Sequence, residues 1–294
     1  MVNTEISKYD TIYNLHHCDP SIVIPTNDLD AWVTYPKYNW IYNRLQLAQM
    51  QNIKAAPMPI QPDTFPVIIK PIVNLYGMGL NIKKITSMIE FEENWYNNDF
   101  WMEFLDGEHL SIDILLIKGQ IIWHATFTGH KMDNNLGLFK YWESIDTVLD
   151  PNVIEIVSKL DNFTGCVNIE TIGNKIIEGH LRMGDITKLP NDNIIDGIIS
   201  IYQEKIYLFP ATIPKIYLFP IWLHTDCQLS IALNTDNKMR GIVKSICKYA
   251  YSYQIDKGSE ACPNDLRRVM MISTFHYETG INIINDLYSY LHSI

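Results

Sequence analysis

The sequence predicts an α+β fold made of antiparallel hairpins with helices between and after them. Three observations carry this. Gly165–Arg182, GCVNIETIGNKIIEGHLR, sets two Val- and Ile-rich runs on either side of Gly173-Asn174, a strong turn pair. A second pair of apolar runs, Leu110–Lys118 and Ile121–Phe127, flanks Gly119-Gln120. Stretches of helical periodicity lie at 38–52, 84–94, 238–254 and 278–293.

Polarity argues the register of the first hairpin. A two-residue turn would pair Ile172 with Lys175 and set Glu170 opposite Ile177, mixing the faces. A three-residue loop, Gly173-Asn174-Lys175, pairs Glu170 with Glu178 and Asn168 with His180. Val167, Ile169, Ile177 and Leu181 then share an apolar face, and Asn168, Glu170, Glu178, His180 and Arg182 a polar one. This register puts two carboxylates side by side, which repel unless a cation stands between them. A metal with phosphate near Arg182 would resolve the repulsion. A solvated edge hairpin is the plainer alternative.

Composition narrows the function classes. A chain of 294 residues can hold one large domain or two ordinary ones with ample core. Hydrophobic residues at 47% and charged residues at 19% fit a soluble globular protein. The net charge of -10 leaves no basic excess to match nucleic-acid phosphates, and Lys83-Lys84 and Arg267-Arg268 are too small to reverse it. Cys18, Cys166, Cys227, Cys247 and Cys262 are odd in number and scattered, with no C-x-x-C. They suggest free thiols in a reducing compartment, hence a cytoplasmic location, rather than a disulfide frame or zinc site. The first 20 residues lack the apolar run of a signal peptide, and no run reaches transmembrane length, so no membrane partner is expected.

Taken in order, Ser21–Pro25 reads as a buried strand followed by a turn at Thr26-Asn27-Asp28. His16-His17 would point to opposite faces of a strand, which suits a surface or loop better than a metal. Residues 38–52 read as a helix with Trp40, Ile41, Leu45 and Ala48 on one stripe. Ala55–Pro59 is extended, because a residue before proline is pushed out of the helical region. Phe65–Pro71, FPVIIKP, is a strand ending in a lysine that looks buried, and Asn74–Gly79 is a loop carrying Gly77 and Gly79. Such a pair suggests phosphate binding: glycines let amides approach an anion and lysine supplies charge. An ordinary loop with a snorkelling lysine is the competing reading. Neither a P-loop nor a dinucleotide fingerprint is present.

The last third is less informative. Lys205–Pro210 and Lys215–Pro220 nearly repeat each other and read as two strands joined through Ala211–Pro214. His224, Asp226 and Cys227 read as a polar turn. Helices are expected at 238–254, with Ile242, Ile246 and Tyr249 apolar, and at 278–293, with Ile281, Ile284, Leu287 and Leu291.

The order of these features resembles the ATP-grasp superfamily over residues 38 to 185: a helix with a basic residue, FPVIIKP, a Gly-rich loop, WMEFLDGEHLSID, and a hairpin ending IIEGHLR. The resemblance implies a nucleotide gripped between two α+β lobes. It places Lys70 on the phosphates under a loop formed by Gly77-Met78-Gly79. It gives adenine to the backbone of Glu103, Phe104 and Leu105, and ribose to Glu108. Glu178 becomes a metal ligand and Arg182 the group that steadies the transferring phosphoryl, as the E-x-N-x-R pattern requires.

Four departures stand out. His180 occupies the asparagine position, the outgoing-strand ligand is Asn168 or Glu170, Arg44 replaces an early lysine, and no arginine lies between Glu103 and Leu181. The expected organisation is a reduced N-terminal segment (1–37), an ATP-grasp core (38–187) and a C-terminal α+β extension of the same compact unit (188–294). The expected activity is ATP-dependent activation of a small-molecule or peptide carboxylate, with Mg²⁺, or with Mn²⁺ because imidazole nitrogen suits it better. Nucleotide binding without ligase turnover is the rival, and oligomeric state is not readable.

Overall fold

The computed structural model describes residues 22–77, 79, 81–133, 135–184, 192–203, 205, 207–210, 212–224, 232, 233, 235–255 and 266–293. His16-His17, Asp226 and Cys227 lie outside them.

The first lobe begins with α1 (Asp28–Thr34), whose Asn27 cap accepts from the Asp30 N–H. A 3₁₀ turn follows at Pro36–Tyr42, then α2 (Arg44–Met50). The predicted helix over 38–52 is thus two helices. Asn43 divides them, because its side chain accepts from the Gln46 N–H and starts α2 afresh. Strands β1 (Ala55–Pro57), β2 (Val67–Pro71), β3 (Lys83–Ile85) and β4 (Asp99–Glu103) form an antiparallel sheet in the order β1-β4-β2-β3. The helix expected at 84–94 is shorter, α3 (Met88–Glu93), and its first residues belong to β3. The reason is a capping box: Ser87 Oγ accepts from the Glu90 N–H, and Glu90 accepts from the Thr86 N–H at 2.7 Å.

The second lobe is one eight-stranded antiparallel sheet. Its strands are β5 (His109–Ile117), β6 (Gln120–Lys131), β7 (Phe139–Ile145), β8 (Gly165–Ile172), β9 (Lys175–His180), β10 (Tyr217–His224), β11 (Ser252–Ile255) and β12 (Leu266–Thr274). The order is β11-β12-β10-β7-β6-β5-β8-β9. Helices α4 (Pro151–Ser158), α5 (Asp192–Tyr202), α6 (Asn237–Ile246) and α7 (Tyr277–Leu291) cover its faces. The helix predicted over 238–254 ends at Ile246, and the chain turns back as β11 to pair with β12. Ser252–Ile255 cannot be helical and also complete that ladder.

Alternation sorts the side chains of this sheet. Ile112, Ile114, Leu116, Val167 and Ile169 pack with α4 and the 3₁₀ turn in one core. Leu115, Cys166, Met183, Leu218 and Met271 pack with α5 on the opposite side. His109, Ser111 and Asp113 fall in the same alternate set as Leu115, and Asn168 and Glu170 in that of Cys166, so the second side also carries the polar groups.

The β8/β9 hairpin corrects one expectation and keeps another. Asn168 pairs with His180 and Glu170 with Glu178, the register that polarity argued. The loop, however, has two residues, with Ile172 opposite Lys175. Gly173 and Asn174 have φ of 54° and 65°, the pair of positive angles a tight hairpin turn needs. A bulge between Glu170 and Thr171 supplies the odd residue instead. Ile176 therefore enters the core, and Ile177, assigned to that face from sequence, packs toward Phe100 and Met102 across the cleft. The outer edge of β9 is closed by Gln51, whose amide accepts from the Ile176 N–H at 2.7 Å and donates to its carbonyl at 2.9 Å.

Two further expectations fail. Residues 22–26 form no strand, although Ile24 is buried. The sequence repeat is not a hairpin among the described residues. Only the second copy forms a strand, β10, which pairs with β7 and β12.

Candidate active site

The two sheets face each other across a cleft with a cavity of about 330 Å³, within the usual size range of a small-molecule site. Its first wall carries Ile68 and Lys70 of β2, Met102 of β4 and the connection Glu103-Phe104-Leu105. Gly77 and Gly79 overhang it, both with positive φ. A Cβ on Gly79 would stand 3.2 Å from the Cα of Gly137, so this close approach of two loops needs glycine. The second wall carries Asn168, Glu170, Glu178, His180 and Arg182.

Of the residues singled out from sequence, two do not line the cavity. Arg44 lies behind the wall, 2% exposed, and forms a buried ion pair with Glu178 while its Nη1 has no partner. Glu108 is exposed on its loop, where its carboxylate accepts from Thr128 Oγ1 at 2.8 Å. Sequence reasoning missed Asp28, His109, Ser111, Asp113 and Lys131, which do line it. Asp28 precedes the matched region, and His109 directly follows the residue that the ribose pattern selects. The polar alternation of His109, Ser111 and Asp113 along β5 was the readable signal.

Lys70 is 4% exposed and donates to the Ile177 carbonyl at 3.1 Å. Burial, together with the Arg44 charge, pulls its ammonium down to about 7. The two carboxylates that sequence reasoning set side by side have separate partners. Glu178 binds Arg44, and Glu170 Oε2 lies 3.0 Å from His109 Nε2. Burial pushes the Glu170 carboxyl up, but its hydrogen bond with His109 and the neighbouring basic groups hold it below the usual carboxylate range. Asn168 donates from Nδ2 to Ser111 Oγ at 2.9 Å and Asp113 Oδ1 at 3.0 Å.

Asp28 is 3% exposed. Burial alone would raise its carboxyl, yet Arg182 and His180 hold it well below the usual carboxylate range. Its Oδ2 accepts from Arg182 Nη2 at 2.7 Å, and its Oδ1 lies 3.0 Å from His180 Nδ1. His180 Nε2 stands 3.6 Å from Glu178 Oε1, too far for a hydrogen bond. Among the described residues, no three of His, Cys, Asp and Glu stand together as a ready metal group. Glu178 and His180, on one wall of the cavity, carry the carboxylate oxygen and ring nitrogen that would hold a cation there.

An α+β pair of lobes with this cleft defines the ATP-grasp fold, and the chain has it. It is similar in structure to an N5-carboxyaminoimidazole synthetase from Staphylococcus aureus solved with ADP, at a TM-score of 0.59, 12% identity, and 89% of this chain against 77% of that one. It is also similar to an L-amino acid ligase from Bacillus licheniformis, at 0.56, 12%, 85% and 71%. An N5-carboxyaminoimidazole ribonucleotide synthetase from Thermus thermophilus gives 0.56, 8%, 90% and 80%. No family model matches the sequence, and no curated protein matches it. Among the described residues, no helix is long and apolar enough to cross a membrane.

Proposed function

We propose that the protein binds ATP in this cleft and transfers its γ-phosphoryl group to a carboxylate, releasing ADP, and that an amine or another nucleophile then attacks the acylphosphate and displaces phosphate. The observation that carries this reading is Lys70, a buried ammonium on the cavity wall that faces Glu178 and Arg182 in an ATP-grasp fold. A lysine buried with so little anionic compensation is suited to an anionic ligand. The structural neighbours include a synthetase solved with ADP and an L-amino acid ligase, which supports the same class of chemistry.

Each group has a role in that reading. Lys70 holds phosphate, and Gly77 and Gly79 let the overhanging backbone come close to it. The N–H groups of Glu103 and Phe104 are already bonded to Lys54 and Pro66 carbonyls. Among the described residues the Leu105 N–H has no backbone partner, so it is the donor we assign to adenine. Glu108, whose carboxylate is bonded to Thr128 at the rim, would have to turn inward to take the ribose.

Glu178 and His180 would hold Mg²⁺ or Mn²⁺ together with the phosphates, and such a cation would supply charge neutralisation for phosphoryl transfer. Asn168, opposite His180, has its NH₂ engaged and leaves a carbonyl oxygen for the same cation. Glu170, tied to His109, is the other candidate from that strand. Arg182 steadies the transferring phosphoryl and then the acylphosphate, work done by position and charge. Arg44 holds Glu178 in place from behind through their buried ion pair.

A second reading, nucleotide binding without turnover, is favoured by the pairing of the polar face: Glu178 is bound to Arg44 and Arg182 to Asp28. Two measurements separate the readings. Calorimetry is expected to show ATP binding strengthened by Mg²⁺ or Mn²⁺ and weakened roughly ten- to a hundred-fold by Lys70→Ala, the loss of a charge-assisted hydrogen bond. Phosphate release from ATP on adding a pool of carboxylates and amines is expected for a ligase. Binding without release supports the second reading, and no binding defeats both.

A further inference from the structure

We propose that Asp28 is a positioning residue for the cation site, fixing His180 with its proton on Nδ1 so that Nε2 is offered to a nitrogen-accepting divalent cation of the Mn²⁺ class. The proposal rests on the ATP-dependent reading of the cleft and adds to it a residue from outside the ATP-grasp pattern.

The geometry comes from three elements. α1 delivers Asp28 to the cavity wall, where its carboxylate is 3% exposed. β9 ends in His180, also 3% exposed, and Arg182 follows. The carboxylate bridges them at 3.0 Å to His180 Nδ1 and 2.7 Å to Arg182 Nη2. Arg182 Nη2 also lies 3.4 Å from His180 Nδ1. If Nδ1 were bare, its lone pair would face a carboxylate oxygen at 3.0 Å, the shorter of its two contacts, and the pair would repel. With the proton on Nδ1, Asp28 accepts from the imidazole and the guanidinium together, and the 3.4 Å contact is that of two donors sharing one carboxylate. The shorter distance is the one that places a proton on Nδ1. Nε2 then carries the lone pair on the same wall as Glu178, 3.6 Å from its Oε1. Tyr42 packs edge-on against the ring, with centroids 6.0 Å apart.

A carboxylate behind an imidazole is how proteins orient a metal-binding histidine and raise its basicity. An asparagine in the same place would offer a hard oxygen suited to Mg²⁺. A histidine so held shifts the preference toward Mn²⁺.

The first test uses nucleotide-free wild-type protein. Long-range ¹⁵N–¹H spectra, with His180→Asn to assign the signal, are expected to show neutral His180 protonated on Nδ1. The Nε2–H tautomer, or an imidazolium at neutral pH, overturns the proposal whether or not ATP binds. The second measures affinity for a non-hydrolysable ATP analogue with Mn²⁺ and with Mg²⁺. Asp28→Asn keeps the shape but can turn its NH₂ toward Nδ1 and move the proton to Nε2. We expect it to lower the Mn²⁺-to-Mg²⁺ affinity ratio roughly 10- to 100-fold, as does His180→Asn, with part of the ratio restored in Asp28→Glu. An unchanged ratio in Asp28→Asn overturns the proposal while leaving the ATP reading intact. Absence of analogue binding to wild type overturns the ATP reading, and the spectra still decide the tautomer. If Asp28→Asn does not fold, the wild-type spectra and His180→Asn carry the decision.

Discussion

Lys70 shows how a single side chain ties stability to function. Its folded-state value of about 7 lies below the ordinary lysine value of 10.5, so between these limits the unfolded chain binds more protons than the folded one at this group. The Lys70 contribution therefore makes the fold more stable as pH rises from about 7 toward 10.5, and less stable as pH falls. In the proposed reading, a bound triphosphate would reverse the balance by favouring the charged ammonium. ATP binding near pH 8, inside that window, is then expected to take up a proton, read as a dependence of the calorimetric enthalpy on the ionisation enthalpy of the buffer. Lys70→Met should abolish most of that dependence, and uptake that persists unchanged would assign the proton elsewhere. Lys70 was legible in the sequence because a lysine closing an apolar strand is unusual. Asp28 was not legible. Its partners, His180 and Arg182, are 152 and 154 residues away, and only the packing of α1 brings them together. Glu108 was legible as a carboxylate after a hinge, but its side chain turns to Thr128 rather than into the cavity.

The β8/β9 hairpin shows what alternation can and cannot reveal. Which residues share the polar face follows from a period of two and the need for a core, and that was readable. Where the odd residue sits was not, because a longer loop and a bulge beyond a tight turn give the same register at Glu170 and Glu178. Gly173 settles the matter physically. It has φ of 54°, and a Cβ there would stand 2.5 Å from the Asp106 carbonyl oxygen. Gly173→Ala is expected to destabilise the protein by about 1–3 kcal/mol, measured by urea unfolding. Because Asp106 precedes the Gly107-Glu108 rim, it should also weaken ATP binding. A neutral substitution would show that the turn is not packed against the hinge loop. Helix ends were misread for a similar reason. The Ser87 cap was written in the sequence, but periodicity over 84–94 ran through it into β3.

The last third of the chain is woven into the same sheet as the first hairpins. Tyr217 and Leu218 pair with Glu143 and Trp142, and Trp222 donates from its indole to the Phe139 carbonyl at 3.0 Å. One core contains Ile24, Leu115, Ile198, Leu218 and Met271. Cutting the chain between its two halves would expose that core, so limited proteolysis should release no stable fragment ending near residues 186–200. A soluble, folded fragment with that boundary would contradict this. Nucleotide binding in this cleft is tested by a crystal structure with a non-hydrolysable ATP analogue and Mn²⁺. The base is expected against Glu103–Leu105 with a hydrogen bond from the Leu105 N–H, phosphate oxygens on Lys70, and the cation between Glu178 and His180 Nε2. A nucleotide bound outside this cleft, or an empty cleft at saturating analogue, would contradict it.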